Sequence, residues 1–222
     1  MNFLRARTKE QIEQRQLDIM QACETLFEKG GYDHVNIMAI SEMTSITRSA
    51  IYTYYKTKDE IILDLLREEL LDWKEELLEW TLETAPLNKA EFCKQFTAIL
   101  MSKHKMLHYY SLLYTLLELN CRLEKLVIFK QHVIPVLGII VKTIKENFSF
   151  YTQEQASIIT EEIVSYILGL YPATHLTPKQ KDAIILSKTD YQAPDFAQLC
   201  EMGINSFLSD SHTISNVLSS NQ

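Results

Sequence analysis

The sequence predicts an all-α protein, because turn-forming residues are scarce and apolar residues recur at helical spacing. Only five glycines and five prolines occur among 222 residues, of which 46% are hydrophobic. So few turn formers disfavour a fold of many short strands and favour long helices joined by few loops. A chain of this length buries about 70% of the surface that its unfolded form exposes, so a large apolar core is expected.

The N-terminal sequence and the cysteines indicate the cellular compartment of the protein. The first residues, MNFLRARTKEQIEQ, contain no apolar region of signal-peptide length, and no run of 18 or more apolar residues occurs in the chain. The four cysteines show neither C-x-x-C pairing nor zinc-ligand spacing. A cytoplasmic protein with reduced, buried thiols is therefore expected.

Two helices are predicted before residue 45. Apolar residues at spacings of three, four and seven predict a first helix over residues 8–29, which the pair Gly30 and Gly31 ends. Asn36 is a suitable N-cap for a short second helix that ends near Thr44.

A third short helix follows after about three residues. Thr47 is its predicted N-cap, and the spacing turns Ile51 and Tyr55 inward. Two short helices joined in this way, the second with polar residues outward, form a helix-turn-helix. The residues predicted to face outward are Arg48, Ser49, Tyr52 and Thr53.

The stretch TRSAIYTYYKTKDEI, residues 47–61, is basic and rich in tyrosine although the chain has a net charge of −7. Thr57 and Glu60 predict a capping box that starts a fourth helix, with Lys58 in its first turn. The free amides of a helix N-terminus beside a lysine bind anions, and tyrosine hydroxyls donate to DNA phosphates. Arg5 and Arg7 form a basic arm that suits a minor groove.

Residues 9–61 resemble the DNA-binding domain of the TetR/AcrR family in the motifs LFEKGGY and ISEMTSITRSAIYTYYKTKDEI. The resemblance implies an N-terminal three-helix helix-turn-helix DNA-binding domain over residues 1–58. A helical effector-binding and dimerisation domain over residues 59–209 would follow it, and residues 210–222 are expected to form a flexible tail.

The resemblance also implies roles for single residues. Tyr52 and Lys58 would hold phosphates, and Arg48 is the best candidate for a bidentate contact to guanine. The expected DNA-binding residues are Arg5, Arg7, Asn36, Thr47, Arg48, Ser49, Tyr52, Thr53, Tyr54, Lys56 and Lys58.

Two positions depart from the family pattern. Ser45 occupies the turn position where glycine is usual, so either a residue other than glycine adopts positive φ there or the turn differs. Ser41 stands where alanine is usual, which adds a hydroxyl against the third helix. Both departures could shift the recognition helix.

Residues after the fourth helix predict a helical body that could bind a ligand. The fourth helix is long. The sequence after it contains clustered aromatic residues with a few polar groups, which could line a pocket for an apolar or aromatic ligand. The same side chains could simply fill the core of a helical bundle. The expected ligand-binding residues are Met101, Tyr109, Tyr110, Tyr114, Glu118, Phe129, His132 and Tyr166.

Two stripes of apolar residues near the C-terminus are candidates for a dimer interface. They lie in residues 153–170 and 195–209, and in the resembled family such helices meet a second copy as a four-helix bundle. The periodicity is equally compatible with a hairpin inside one chain. The expected interface residues are Ile159, Ile163, Ile167, Leu170, Phe196, Leu199, Gly203 and Phe207.

The resemblance implies a dimeric regulator that binds a palindromic DNA operator and is released by a small apolar or aromatic effector. His104 and His108 have metal-ligand spacing but lack the zincin glutamate and a third ligand, so no metal, no cofactor and no catalytic residue is expected. The alternatives are a helical interaction module that has lost DNA binding, an enzyme that uses these two histidines, and an activator of the same fold.

Overall fold

The computed structural model describes residues 8–83 and 86–208, and these residues form α-helices without any strand, which confirms the predicted all-α class. The helices are α1 (Lys9–Gly30), α2 (Ile37–Thr44), α3 (Arg48–Tyr54), α4 (Lys58–Glu83), α5 (Lys89–Ser102), α6 (His104–Ser111), α7 (Glu118–Asn120), α8 (Leu123–Asn147), α9 (Gln153–Thr174), α10 (Pro178–Ser187) and α11 (Phe196–Phe207). A 3₁₀ turn at Tyr32–His34 and a π-helical stretch at Leu113–Leu117 join some of them. Arg5, Arg7 and the predicted tail at 210–222 lie outside the described residues.

The chain divides into two compact units, whereas the functional division after residue 58 stays a prediction. The first unit contains the described residues up to Glu69 together with Leu112–His132, and the second contains Leu70–Ser111 and the described residues from Val133 onward. Leu112–His132 belongs to the first unit because residues 120–125 form hydrogen bonds with residues 57–64. Helical periodicity carries no information about such long-range contacts.

Side-chain caps set the starts of the first three helices. Thr8 forms a capping box with Gln11, the Asn36 side chain accepts from the Ala39 amide at 2.9 Å, and Thr47 accepts from the Ala50 amide at 3.3 Å. The predicted inward side of α3 is confirmed, since Ile51 and Tyr55 are both fully buried.

The conformation of the turn between α2 and α3 shows how the chain accommodates Ser41 and Ser45, the two departures from the family pattern. Ser45 has φ 56° and ψ 14°, so a residue other than glycine does adopt the left-handed conformation here. The Ser41 hydroxyl donates to the Ile46 carbonyl at 2.7 Å and satisfies a polar group of the turn that alanine would leave without this bond. The helix-turn-helix keeps its form with both serines in place.

Ser45→Gly is expected to raise the free energy of unfolding of the first unit by about 0.5–1 kcal/mol. Left-handed backbone costs a residue with a Cβ roughly 1–2 kcal/mol, and the greater freedom of glycine in the unfolded chain offsets part of that gain. Urea unfolding measures the change, and Ser45→Ala is the control because it keeps the Cβ and should give no gain. Equal stability of the two variants would contradict the prediction.

An aromatic cluster forms part of the core of the second unit. The Phe92 and Phe96 rings stack with centroids 5.9 Å apart, and Trp80 lies 5.5 and 6.1 Å from them. The Trp80 indole N–H donates to the Gln95 side chain at 2.8 Å, which satisfies its polar group. Helix α11 packs on α5 and α9, and α6 packs on α9.

Helix α8 is unusually apolar for a chain with so many charged residues. By length and composition alone it is able to cross a membrane, a property that core helices share. In the second unit its Val136, Ile140 and Ile144 are at most 1% exposed, as expected for a core helix. Pro135 lies inside the helix.

The contact between α9 and α11 depends on a small residue. The Tyr166 hydroxyl donates to the Leu199 carbonyl at 2.9 Å, and its ring packs on Phe207 with centroids 5.5 Å apart. A Cβ on Gly203 would lie 2.3 Å from the same ring. Gly203 therefore allows a close approach between α9 and α11 of the same chain.

Gly203→Ala is expected to lower the free energy of unfolding by about 1–3 kcal/mol, because the added methyl group displaces the Tyr166 ring. Thermal unfolding measures the loss. Gly138→Ala is the matched control, since Gly138 is an exposed helical glycine with no atom within 4 Å of its added Cβ, and it should show no such loss. Equal changes in the two variants would contradict the role that we assign to the Tyr166 contact.

Candidate nucleic-acid interface

The outer face of α3 carries exposed polar side chains. Arg48, Ser49, Tyr52 and Thr53 are exposed, as the periodicity predicts, and Tyr52 keeps 44% of its surface. The Thr53 hydroxyl donates to the Ala50 carbonyl at 2.7 Å, whereas within the described part of the chain no hydrogen bond or ion pair holds the Arg48 guanidinium. A short helix with such an arginine on its outer face has the chemistry that base edges in a major groove require.

Two lysines follow α3, and the structure holds them differently. Lys56 is exposed and its Nζ donates to the Tyr52 carbonyl at 2.6 Å. Lys58 is half-buried, its Nζ donates to the Tyr32 carbonyl at 2.8 Å, and it lies 3.6 Å from the centroid of the Tyr32 ring. Lys56 is therefore the more available of the two for a phosphate, whereas Lys58 also anchors the 3₁₀ turn at Tyr32–His34 to the start of α4.

Tyr32 and Asp59 complete this anchor. The Tyr32 hydroxyl donates to Asp59 Oδ1 at 2.7 Å. Burial, followed by this hydrogen bond and the Asp59 charge, raises the pKa of Tyr32 above its ordinary value. The phenol remains a neutral donor at physiological pH.

The remaining predicted DNA-binding residues have structural roles or partial exposure. Asn36 and Thr47 cap α2 and α3, although both residues are exposed. Tyr54 is half-buried. The predicted residues from Thr47 onward therefore lie together on α3 with its N-cap, in the turn after α3, and at Lys58, the first residue of α4.

The predicted capping box of α4 is only half formed. The Thr57 hydroxyl accepts from the Glu60 amide at 3.2 Å, as predicted. The Glu60 carboxylate instead accepts from the Lys56 amide at 2.7 Å and from Arg122. The sequence does not mark Arg122 as a partner of Glu60, because the two residues lie 62 positions apart and no local pattern connects them.

The Glu60 carboxylate is fully buried and ionised. Burial favours the neutral form, but the hydrogen bonds from Arg122 and the Lys56 amide outweigh it, and the pKa of Glu60 is lowered. A lowered pKa in the folded state stabilises the fold above the ordinary pKa of 4.5, and that contribution disappears as pH falls through the folded-state value.

Acid is therefore expected to remove a specific part of the stability of the first unit. Glu60→Gln should be less stable than the natural protein at pH 7, and the gap should narrow as pH falls below about 4. Urea unfolding at a series of pH values measures the gap. A gap that is constant from about pH 7 to about pH 3 would contradict the assignment.

The predicted ligand-binding residues fall in both units. In the second unit Tyr109 and Tyr110 are buried on α6, Met101 is half-buried on α5, and Tyr166 packs on α11. The first unit contains the remainder, which are Tyr114, Glu118, Phe129 and His132. Tyr114 is 55% exposed, Phe129 is buried, Glu118 pairs with Lys130, and His132 Nδ1 lies 2.7 Å from the Ile128 carbonyl.

The predicted interface stripes are largely covered within one chain. Ile159, Ile163, Ile167, Leu170 and Phe196 are at most 7% exposed, while Leu199, Gly203 and Phe207 are half-buried. Because α9 and α11 pack on each other, the stripes form the internal hairpin that the periodicity also allowed. The exposed positions of these helices include Ser165, Gly169 and Met202.

His104 and His108 lie beside residues at the end of α9. The His104 and His175 ring centroids are 5.9 Å apart, and the His108 and Tyr171 centroids are 6.0 Å apart. Among the described residues, no group of three or more histidine, cysteine or acidic side chains has an arrangement that holds a metal ion.

Family models match most of the chain. Residues 67–209 match the model described as "Tetracyclin repressor-like, C-terminal domain", and residues 19–65 match "Bacterial regulatory proteins, tetR family". A stretch of 60 residues is 35% identical to the HTH-type transcriptional regulator TtgR and to the probable HTH-type transcriptional regulator ArpR, both of Pseudomonas putida. This match spans 27% of the chain and 29% of each curated relative.

Solved structures share the fold. FadR of Thermus thermophilus, a TetR family transcriptional repressor in complex with lauroyl-CoA, has a TM-score of 0.58 and 16% identity over 87% of this chain and 93% of that one. The fatty acid degradation regulator FadR from Bacillus halodurans has a TM-score of 0.55 and 14% identity over 94% of this chain and 99% of that one.

Proposed function

Because the chain belongs to the tetR family of bacterial regulatory proteins, we propose that it is a cytoplasmic, ligand-responsive repressor that binds a palindromic DNA operator as a homodimer. Members of the family are transcription regulators with a DNA-binding head and a helical effector domain. The observation that carries the proposal is the exposed, polar outer face of α3 with Arg48 and Tyr52, followed directly by Lys56.

Helices α1 to α3 and the turn after them, called the head here, carry the side chains that would contact DNA. Arg48 presents a planar fork that matches guanine O6 and N7, and Tyr52 and Lys56 donate to phosphates beside it. Two copies related by a twofold axis place two recognition helices in successive major grooves about 34–36 Å apart. A near-palindromic site follows from that symmetry.

The dimer would use the faces of α9 and α11 that one chain leaves exposed. Ser165 and Gly169 lie one turn apart on α9, and small residues let two helices approach closely. Met202 on α11 is 59% exposed and would be covered in the same contact. Among the residues predicted for the interface, the half-buried Leu199, Gly203 and Phe207 remain candidates.

The effector proposed for the helical body is a small apolar or aromatic molecule. Aromatic residues are concentrated on α6 and in the segment that follows it, and the π-helical stretch Leu113–Leu117 lies next to Glu118. Such stretches occur frequently at functional sites. To release DNA, the effector must bind the DNA-incompetent state more tightly than the competent one.

Selection of the purified protein against a random duplex library tests the DNA-binding function. An enriched near-palindrome is expected, with affinity that falls steeply as salt rises. Lys56→Ala removes one phosphate contact from each half-site, so it should reduce the slope of log affinity against log salt by about 1.8 for the dimer. Tyr52→Phe should weaken binding. Lys142→Ala, which removes a charge from the exposed side of α8, is the control and should leave the slope unchanged.

Other results of this selection would favour the alternatives. No enriched sequence and no salt dependence would favour a module that binds proteins. A transcription assay with the enriched site separates a repressor from an activator by the direction of the change. The same assay serves for an effector screen, in which lauroyl-CoA, bound by the Thermus thermophilus protein, is one probe among apolar and aromatic compounds.

A further inference from the structure

Arg122 lies outside the matched helix-turn-helix segment, yet its side chain contacts both ends of the turn between α3 and α4. Its Nε and Nη2 donate to the two carboxylate oxygens of Glu60 at 2.6 and 2.9 Å. Its backbone amide donates to Glu60 Oε1 at 3.2 Å, and Nη2 also donates to the Tyr54 carbonyl at 3.3 Å. One guanidinium therefore spans the last residue of α3 and the first turn of α4.

The geometry requires an arginine rather than any cation. A planar fork pairs with both oxygens of a carboxylate and still offers N–H groups to a third acceptor, which a lysine ammonium does not match. The Tyr54 carbonyl is one of the C-terminal carbonyls that α3 leaves without an intrahelical partner. A cation is favourable at that end of a helix.

Neighbouring contacts hold the same two segments together. The Thr57 hydroxyl donates to the Asn120 carbonyl at 3.2 Å. Lys125 Nζ donates to Asp64 Oδ2 at 2.6 Å and lies 4.5 Å from the centroid of the Tyr55 ring. Residues 120–125 are thus bound to the end of the recognition helix, to the turn and to the start of α4.

These contacts fix the position of groups that would bind DNA. Lys56 lies in the turn, and its amide donates to Glu60, whose carboxylate Arg122 holds in place. The Tyr52 carbonyl accepts from Lys56 Nζ. A change in the Glu60 carboxylate would therefore reach the exposed face of α3 through these bonds.

We propose that Arg122 is a positioning residue for operator binding, which holds the turn between α3 and α4 and thereby the orientation of the recognition helix. The inference rests on the proposed DNA-binding function and extends it to a residue that lies beyond the head in the sequence. Arg122 touches no DNA in this role and acts through Glu60 and Tyr54.

The test compares three variants of the 222-residue chain on the selected operator. Arg122→Met removes the fork, Arg122→Lys keeps the charge without it, and Arg67→Met is the control. Arg67 is also an arginine paired with carboxylates of α4, Asp64 at 3.2 Å and Glu68 at 2.7 Å. Within the described residues its own hydrogen bonds reach neither the turn nor residues 120–125. Binding is measured where circular dichroism shows every variant to be folded.

Arg122→Met should lower operator affinity about tenfold or more, because a binding site must be held within a fraction of an ångström to act. Arg122→Lys should give an intermediate loss, and Arg67→Met should bind within about twofold of the natural protein. Amide hydrogen exchange at Lys56 should accelerate in Arg122→Met and stay unchanged in Arg67→Met, which a purely global loss of stability would not produce.

Three results would overturn the inference. Operator binding by Arg122→Met within twofold of the natural protein would exclude a positioning role. An equal loss of affinity in Arg122→Met and Arg67→Met would assign the effect to general stability. A natural protein that enriches no DNA sequence would remove the proposed function and, with it, this role, and that result is distinct from the first two.

Discussion

Arg48→Ala is expected to weaken operator binding by about 1–3 kcal/mol in each half-site, or about 2–6 kcal/mol for the dimer, which corresponds to roughly 30- to 20,000-fold in the dissociation constant. The side chain is exposed on the outer face of α3, and within the described residues no bond has to break before it meets a base. Its loss should also relax the preference at one base pair in each half-site, since a bidentate contact to guanine discriminates there. Competition among operators altered at single positions measures both effects.

The losses of affinity measured on operators altered at single base pairs distinguish a contact to a base from a general effect of charge. Lys142→Ala also removes one positive charge, from the exposed side of α8, and should leave affinity and base preference unchanged. Lys56→Ala should weaken all operator sequences uniformly, as a phosphate contact does. A uniform loss from Arg48→Ala, with no change in base preference, would assign Arg48 to the backbone of the DNA instead.

Phe96→Ala is expected to cost about 3–5 kcal/mol of folding free energy, the largest effect on stability that we predict. Phe96 is 1% exposed, stacks on Phe92, and lies 6.1 and 6.3 Å from Trp80 and Trp73. Its removal leaves a cavity among rings that cannot all move to fill it. Urea unfolding, monitored by tryptophan fluorescence, measures the loss of folding free energy.

Phe150→Ala is the control for the loss of a phenyl ring. Phe150 is 58% exposed, so its replacement should change the free energy of unfolding by about 0.5 kcal/mol or less. The slope of the free energy of unfolding against urea concentration should be the same in the variants and the natural protein if the native and unfolded states keep their compactness. A loss below about 1 kcal/mol for Phe96→Ala would show that the cluster repacks freely.

The local features of the head could be predicted because short-range chemistry determines them. Thr47 caps a helix through an amide three residues away, and Ile51 and Tyr55 share one helical face. Ser45 is recognisable in the sequence as a departure from glycine, although only the backbone angles decide how the turn accommodates it. Each of these features depends on residues within about one helical turn of each other.

The remaining features depend on contacts between distant parts of the chain. Glu60 looks like a capping-box residue in the sequence, but the structure pairs it with Arg122, 62 positions away. The stripes on α9 and α11 have two possible partners, and periodicity cannot distinguish a helix of the same chain from one of a second copy. Tyr166 looks like a pocket residue for the same reason, because an aromatic side chain on a helix packs equally well against a ligand or a neighbouring helix.

The pairing of Glu60 with Arg122 also affects the order in which the protein can form. The helices α1 to α3 come first during synthesis, but the bonds that complete their unit come from a segment made 62 positions after Glu60. Closing so long an intervening stretch costs chain entropy that purely local contacts avoid. Until Arg122 has left the ribosome, the Glu60 carboxylate of the nascent chain lacks its guanidinium, so the polypeptide should acquire operator affinity only after Arg122 has emerged.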